Sequence, residues 1–320
     1  MRQVSRLAHF GRSQASCYSS ATGRFFMHAL ALLLLVLLTA AAHGAEPRHG
    51  IFFWTLQQKD VDSLVHHVPQ DNSVRLAQLR QTFKDMQCPS DDLREETFAA
   101  GKNLLCEVRG SSTDTILFVA HYEHDGPGLS AVENWTGAMM LPFLYHALMA
   151  APRKHTFVFL EVDGEAGAKS YLHSLPAAEV RALKAVVAVD ALGLGAPSFY
   201  SGPNGYFAAA TESLLQSALM LAAQEKGIPA PKQEIPGEWL RIDDTKQFRF
   251  KGIPSILVHS VDRKTRNIPG SERDTLEAIN GDAYFASYSM LCYYIAELDE
   301  TRIGNTADAA SRPPSRGGRR

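Results

Sequence analysis

Residues 114–138 read DTILFVAHYEHDGPGLSAVENWTGA, and this stretch decides how the remainder of the chain is interpreted. An apolar run over 116–120 ends abruptly in polar residues that include His121 and Glu123. A Gly/Pro turn follows, and Glu133 then precedes a segment rich in helix formers. Imidazole and carboxylate groups at the end of a buried strand cost free energy unless a positive charge neutralises them. The stretch therefore predicts half of a metal site.

The composition is that of a globular domain with a large core. The chain has 320 residues, of which 45% are hydrophobic and 21% charged. Its formal net charge of −2 gives no electrostatic case for binding nucleic acid. We expect one domain over residues 46–300.

The two ends of the chain predict segments outside that domain. Four arginines precede an apolar run over 25–42, and small residues follow it, which is the order of a signal peptide over 1–45. The alternative is an uncleaved membrane anchor, because the run approaches the roughly 20 residues that span a bilayer. Both the signal peptide and the anchor predict that the protein is exported, to the periplasm or out of the cell. Residues 301–320 contain almost nothing apolar and predict a disordered tail.

Three cysteines follow the predicted leader. Cys88 and Cys106 could pair in an oxidising compartment, and closing a loop of that size would stabilise the fold by roughly 3 kcal/mol. Cys292 lies in an apolar segment with helical character and is expected to be a buried free thiol.

Continuous apolar strands alternate with helical segments after residue 100. Such strands are expected over 156–160, 185–189 and 253–258. Two more, over 103–108 and 116–120, are predicted to be adjacent and joined by a turn. The pattern indicates an α/β fold in three layers, a largely parallel mixed sheet with helices on both faces.

Acids or a histidine follow three of these strands. They are His121, Glu165 with its neighbour Asp163, and Asp190. Taken singly, Asp190 is typical of a cap or turn residue and Glu165 of a solvated loop acid. Because ligands bind at the carboxyl ends of strands in such folds, one histidine and several carboxylates there suit zinc.

Six short segments carry a family resemblance. They occur in the order His121-Tyr122-Glu123, Glu133-Asn134-Trp135-Thr136-Gly137, Gly164-Glu165-Ala166-Gly167, Asp190-Ala191-Leu192-Gly193, Asp243-Asp244-Thr245-Lys246-Gln247-Phe248 and Gly270-Ser271-Glu272-Arg273-Asp274-Thr275. This order resembles the co-catalytic zinc aminopeptidases and carboxypeptidases of metallopeptidase family twenty-eight, which also contains glutaminyl cyclase relatives. The resemblance covers residues 103–298 and implies the zinc-exopeptidase fold.

The resemblance implies one zinc site held by His121, Glu133 and Asp190. A second zinc in the family uses the bridging acid, the second Glu of a pair and a final histidine. That histidine is Gly270 here, and only one Glu of the pair remains. The sequence therefore predicts one zinc ion, with the second position impaired.

The remaining Glu of the pair, Glu165, aligns in two ways. In one it is a general base that deprotonates a metal-bound water, and in the other it is a metal ligand. Glu123 would orient His121 through the second ring nitrogen. Asp244 and Asp274 are expected to hold loops at the site.

Four functions follow from these residues. The first is a single-zinc exopeptidase of the aminopeptidase type, acting on a peptide or small amino-acyl substrate with Glu165 as base. A two-metal aminopeptidase would need a substitute for the missing histidine, such as Glu272, His259 or His124. The other two are a single-zinc transferase similar to glutaminyl cyclase and an inactive relative that binds peptides or a partner.

Overall fold

The computed structural model describes residues 51–202, 209–234, 245–301 and 303. The predicted leader and most of the predicted tail lie outside these ranges and stay predictions. Within the ranges, no helix has the length and apolar character needed to cross a membrane.

One mixed sheet organises the described residues. Its eight strands are β1 (Leu93–Phe98), β2 (Gly101–Val108), β3 (Thr115–His121), β4 (Thr156–Val162), β5 (Leu183–Val189), β6 (Ser198–Tyr200), β7 (Lys232–Gln233) and β8 (Ser255–His259). They lie in the order β1-β2-β4-β3-β5-β8-β6-β7. The central strands β4, β3, β5 and β8 are parallel, whereas β1, β2 and β6 add antiparallel pairs.

Helices connect the strands. In the described ranges they are α1 (Gln58–Val65), α2 (Asn72–Asp85), α3 (Thr136–Leu148), α4 (Gly164–Ser174), α5 (Ala177–Ala182), α6 (Ala209–Glu225), α7 (Thr245–Phe250) and α8 (Gly281–Glu300). A single turn, Ala131–Trp135, precedes α3.

Each face of the sheet has its own hydrophobic core. Along β3, Phe118 packs into a large cluster that includes side chains of α3, α6 and α8, whereas Leu117 and Val119 pack into a smaller one with α4 and α7. This division follows from the alternation of side chains along a strand. The predicted three-layer α/β fold is confirmed.

The predicted adjacency of β2 and β3 is wrong, because β4 lies between them. The segment 109–114 crosses the start of β4 instead of forming a hairpin, and the backbone N–H groups of Ser111 and Ser112 donate to the carbonyl oxygens of Arg153 and Lys154. The run of β4 is apolar on both faces and so takes an interior position. β1 was not predicted at all, since half of the residues in its sequence LREETF are charged.

The three cysteines in the described residues have the states that the sequence suggests. Cys88 and Cys106 form a disulfide with a Cα–Cα distance of 6.6 Å, which ties the end of α2 to β2. Cys292 is a buried free thiol, as predicted, and burial raises its pKa to about 12.

Candidate active site

His121 ends β3 at the carboxyl edge of the sheet and is 2% exposed. Its Nδ1 lies 2.9 Å from Oε1 of Glu123 and 3.2 Å from Oε2. An ionised carboxylate can only accept, so Nδ1 carries the hydrogen of this contact. This is the arrangement in which a histidine is held ready to bind a metal.

Glu123 is buried but ionised. Burial alone would raise its pKa, but the charge of His121 and the hydrogen bonds from that ring and from the backbone N–H of Gly164 lower the pKa overall. The Gly164 N–H group lies 3.0 Å from Oε2. Glu123 thereby links the end of β3 to the first turn of α4, and it has the position predicted for a residue that orients His121.

The turn 131–135 connects the candidate ligands through its backbone. Asn134 has a φ of +84°, a left-handed conformation that is uncommon outside glycine. Its N–H donates to Oδ1 of Asp190 at 2.9 Å, and its side-chain amide donates to the carbonyl oxygen of Glu123 at 2.7 Å. One residue next to Glu133 therefore contacts both strand ends.

Asp190 follows the last residue of β5 and is buried. Its Oδ1 accepts from the N–H groups of both Asn134 and Ala191, the latter at 2.7 Å. Since two donors fix one oxygen, the orientation of the carboxyl group is set by the backbone. The family resemblance places Asp190 among the zinc ligands, and this fixed orientation is compatible with that prediction.

Asp274 holds the turn that carries Glu133. Its carboxylate accepts from the N–H groups of Val132 at 2.6 Å, Glu133 at 3.2 Å and Gly270 at 2.9 Å. Burial raises the pKa of Asp274 in spite of these bonds. The residue has the loop-holding geometry predicted for it, whereas Asp244 lies outside the described residues.

Arg75 is a site-positioning residue that the sequence analysis missed. Its side chain is fully buried in α2, and its guanidinium donates to the carbonyl oxygens of Tyr122 at 3.0 Å, Glu123 at 3.2 Å and Leu129. Burial lowers its pKa to about 10, although Glu123 and Asp274 oppose the shift. Its only signal in the sequence is a charged residue directly before Leu76 on the apolar face of the helix.

Glu165 differs from the other candidates because it is exposed. The predicted Gly-rich loop is the first turn of α4, and Oε1 of Glu165 accepts from Nε2 of Gln247 on α7 at 2.5 Å. Its neighbour Gly164 contacts Glu123, so Glu165 lies at the rim of the candidate site. Its role as base or ligand stays a prediction.

The three proposed substitutes for the missing histidine have different surroundings. His259 ends β8 and is fully buried, and its Nδ1 accepts from the N–H of Val261 at 3.2 Å. Burial lowers its pKa to about 4, so the ring is neutral with its hydrogen on Nε2. Both ring nitrogens of His124 face carbonyl oxygens, those of Gln70 and Gly128, and Glu272 is exposed.

The donor chemistry of the site fits zinc. An imidazole beside buried carboxylates is a typical zinc ligand set, and the Glu123 contact supplies the supporting hydrogen bond. Within residues 51–202, 209–234, 245–301 and 303, no three His, Cys, Asp or Glu side chains are grouped as a metal site. The assignment of His121, Glu133, Asp190 and Glu165 as ligands stays a prediction.

The chain was compared with known families and structures. The model of peptidase family M28 matches residues 103–295. BSAP, a zinc aminopeptidase from Bacillus subtilis, is 16% identical with a TM-score of 0.52, and the match covers 64% of this chain and 52% of that one. The chain thus spans about half the length of that aminopeptidase. No curated protein matches.

Two bacterial glutaminyl cyclases match over nearly their whole length. The one from an Acidobacteriales bacterium is 15% identical with a TM-score of 0.61, covering 80% of this chain and 99% of that one. The one from Fimbriiglobus ruber is 16% identical with a TM-score of 0.60, covering 79% and 99%. At these identities the similarity shows the fold alone.

Proposed function

Because the chain belongs to peptidase family M28, we propose that it is a metal-dependent peptidase-like hydrolase, an exopeptidase of the aminopeptidase type. Family membership supports an enzyme of the metallopeptidase-like hydrolase class, and the family name implies peptide substrates. Zinc is expected from the family and from the aminopeptidase that shares its fold. The finer assignment rests on one observation, the contact of Glu123 with Nδ1 of His121 at the carboxyl end of β3.

His121, Glu133 and Asp190 would hold a single zinc ion, which would supply Lewis-acid polarisation of the scissile carbonyl. Glu123 orients His121, and the N–H of Asn134 orients Asp190. These contacts are already formed in the protein and set the orientations of two of the three proposed ligands.

Gly270 supports the choice of one ion. It stands where the family has a metal-binding histidine, and its φ is +65°, a conformation that favours glycine. Its N–H is bonded to Asp274, which also fixes the turn bearing Glu133. A histidine at this position would be strained, so the local backbone suits glycine.

Glu165 is proposed as the general base. It is solvent-accessible on the first turn of α4, next to the glycine that contacts Glu123. From there it can accept a proton from a water at the rim of the site, and its hydrogen bond with Gln247 limits its motion.

Export to the periplasm or outside the cell is part of the same proposal, with membrane anchoring only if the leader remains. The Cys88–Cys106 disulfide supports it, because disulfides persist in oxidising compartments.

A transferase similar to glutaminyl cyclase is the second candidate. The observation that favours it is the length of the match, which covers 99% of two cyclases but 52% of the aminopeptidase. The same His121, Glu133 and Asp190 would serve this reaction, so the substrate decides between the two.

The test combines metal content with two substrate classes. The purified protein is titrated with zinc, bound metal is counted by mass spectrometry, and hydrolysis of aminoacyl anilides is compared with cyclisation of N-terminal glutaminyl peptides. We expect one zinc per chain and turnover that falls about 100-fold or more in Glu165→Gln. Glu95→Gln on the distant strand β1 is the control and should retain activity.

The outcomes separate the candidates. Hydrolysis without cyclisation supports the peptidase, and the converse supports the cyclase-like enzyme. If the protein binds no zinc and turns over neither substrate with any added divalent ion, both enzyme hypotheses are wrong. The hypothesis of an inactive, peptide-binding relative would then remain. Unchanged turnover in Glu165→Gln with one bound zinc would remove Glu165 as the base.

A further inference from the structure

A cavity of about 560 Å³ opens at the amino ends of the parallel strands. Thr115, Thr156 and Leu183, the first residues of β3, β4 and β5, line it. His121 ends β3 at the other edge of the sheet, and a strand of this length spans about 20 Å. The cavity is therefore separate from the candidate active site.

The cavity exists because charged residues occupy core-facing positions beneath an incomplete layer of helices. Arg94 of β1 pairs in register with Leu105 of β2, and Leu105 belongs to the smaller core. By alternation, Glu96 and Glu107 lie on that same face, and all three charged residues line the cavity. α4 ends at residue 174, and the short helix α5 that follows contributes Ala178, Glu179 and Ala182 to the lining.

The cavity has an excess of negative charge. Arg94 forms an ion pair with Glu107 at 3.4 Å. Glu96 and Glu179 form no ion pair with any side chain in the described part of the chain. Glu96 and Glu179 both line the cavity, and burial, opposed by Arg94 and reinforced by Glu179, raises the pKa of Glu96.

The hydroxyl of Tyr171 faces the same space without a partner. The residue is 5% exposed, and after burial the groups that act most on its pKa, Glu96, Glu179, Arg94 and Glu107, all line the cavity. No described residue forms a hydrogen bond with this hydroxyl, which lies at the surface of the cavity.

Three other hydroxyl groups at the cavity already donate to backbone carbonyl oxygens, and that of Ser174 donates to the carbonyl oxygen of Tyr171 at 2.8 Å. Thr115 donates to the carbonyl oxygen of Thr113 at 3.0 Å, and Thr156 donates to that of Ser112 at 2.9 Å. Tyr171 differs from these three residues because its hydroxyl group forms no hydrogen bond with a described residue, so it can both donate to and accept from a ligand.

We propose that the cavity binds an organic cation, a primary ammonium or guanidinium group on a short alkyl chain. Its charge would lie between Glu96 and Glu179, and it would donate to the hydroxyl oxygen of Tyr171. The alkyl chain would pack on Val158 and Leu175, which line the same space. This chemistry is shared by a free aliphatic diamine and by the lysine or arginine side chain of a peptide. The proposal does not depend on the proposed function.

The test measures binding to the whole protein by calorimetry, with catalysis absent from the readout. The probes are cadaverine, agmatine and N-acetyl-lysine methylamide, and 1-pentanol is the neutral control of similar length. We expect the cations to bind at least about 10-fold more tightly than pentanol and to weaken with added salt. Tighter binding of the lysine derivative than of cadaverine identifies a peptide side chain as the source, and the reverse identifies a free amine.

Variants locate the binding. Glu179→Gln changes an exposed residue and leaves the core intact, so it should weaken cadaverine binding about 10-fold without loss of folding. Tyr171→Phe should weaken it by a smaller factor. Glu95 also lies on β1, but its register partner Leu104 shows that it is on the opposite face of the sheet. The Glu95→Gln variant should therefore bind cadaverine as the parent protein does. Unchanged binding in Glu179→Gln, equal binding of pentanol, or displacement of the amines by micromolar calcium would each overturn the proposal.

Discussion

Glu123 and Glu161 lie at the ends of two neighbouring strands, and both are buried, yet their pKa values move in opposite directions. Glu123 accepts from His121 and Gly164, and its pKa is lowered. Glu161 is 0% exposed, no described residue donates a hydrogen bond to it, and burial raises its pKa far above the usual range in spite of the nearby His121. At this edge of the sheet, hydrogen-bond donors rather than depth decide which carboxyl group is charged.

Asp274 gives the largest expected effect, because it is the buried carboxylate that holds three backbone N–H groups. Asp274→Ala leaves these donors without an acceptor, and each unsatisfied buried group costs about 1–3 kcal/mol. We expect the free energy of unfolding in urea to fall by about 3 kcal/mol or more. Asp274→Asn keeps one acceptor and should lose less; equal losses would show that volume rather than hydrogen bonding matters there.

Glu161 should make stability depend on pH. Because its pKa is raised in the folded state, the folded protein retains a proton that the unfolded chain releases above about pH 4.3. Its contribution to the free energy of unfolding should therefore fall by about 1.4 kcal/mol per pH unit as the pH rises from there to the folded-state pKa.

Urea unfolding at pH 5 and pH 8, with metal removed by chelation, measures this slope. Glu161→Gln abolishes the titration, so the difference in stability between the two pH values should shrink relative to the parent protein. An unchanged slope in Glu161→Gln would mean that the carboxyl group ionises without penalty and that the contrast with Glu123 is wrong.

Glu123 should give the opposite dependence and a metal phenotype. Its lowered pKa contributes stability that is present above about pH 4.3 and is lost as the pH falls through the folded-state value. Glu123→Gln should also weaken zinc binding by about 10–100-fold, since the orientation of His121 is lost. Competition with a chromogenic chelator measures the affinity, and Glu95→Gln should match the parent.

Gln247 gives the smallest expected effect. It donates to the exposed Glu165, and exposed contacts of this kind change stability by less than about 0.5 kcal/mol. Gln247→Ala should leave thermal unfolding nearly unchanged while lowering turnover if it positions the base. A large loss of stability would place this pair among the buried contacts instead.

Periodicity made much of the fold predictable. The apolar runs in β4, β5 and β8 and the helices between them follow from side-chain burial on two faces, which leaves a direct trace in the sequence. The pairing partners leave no such trace. The position of β4 between β2 and β3 depends on which strand tolerates burial on both sides, and β1 is recognisable only through its partner.

Some residues of the candidate site were likewise predictable from the sequence, and others were not. His121 and Asp190 were predicted because they lie at the ends of apolar strands, and Glu123 because it matches the first family motif; the structure places all three at the carboxyl edge of the sheet. Arg75 was missed because its partners are backbone carbonyl oxygens nearly fifty residues away, which no local pattern records.

By itself, the sequence determined the chemistry of the stretch 114–138 and the α/β pattern around it, because both are encoded in residue type and spacing. Only the tertiary structure decided which acids are charged. Glu123 and Glu161 are the same side chain in the sequence, but Glu123 accepts hydrogen bonds from His121 and Gly164, whereas no described residue donates to the buried Glu161. Their ionisation and reach are properties of those surroundings, which long-range contacts create.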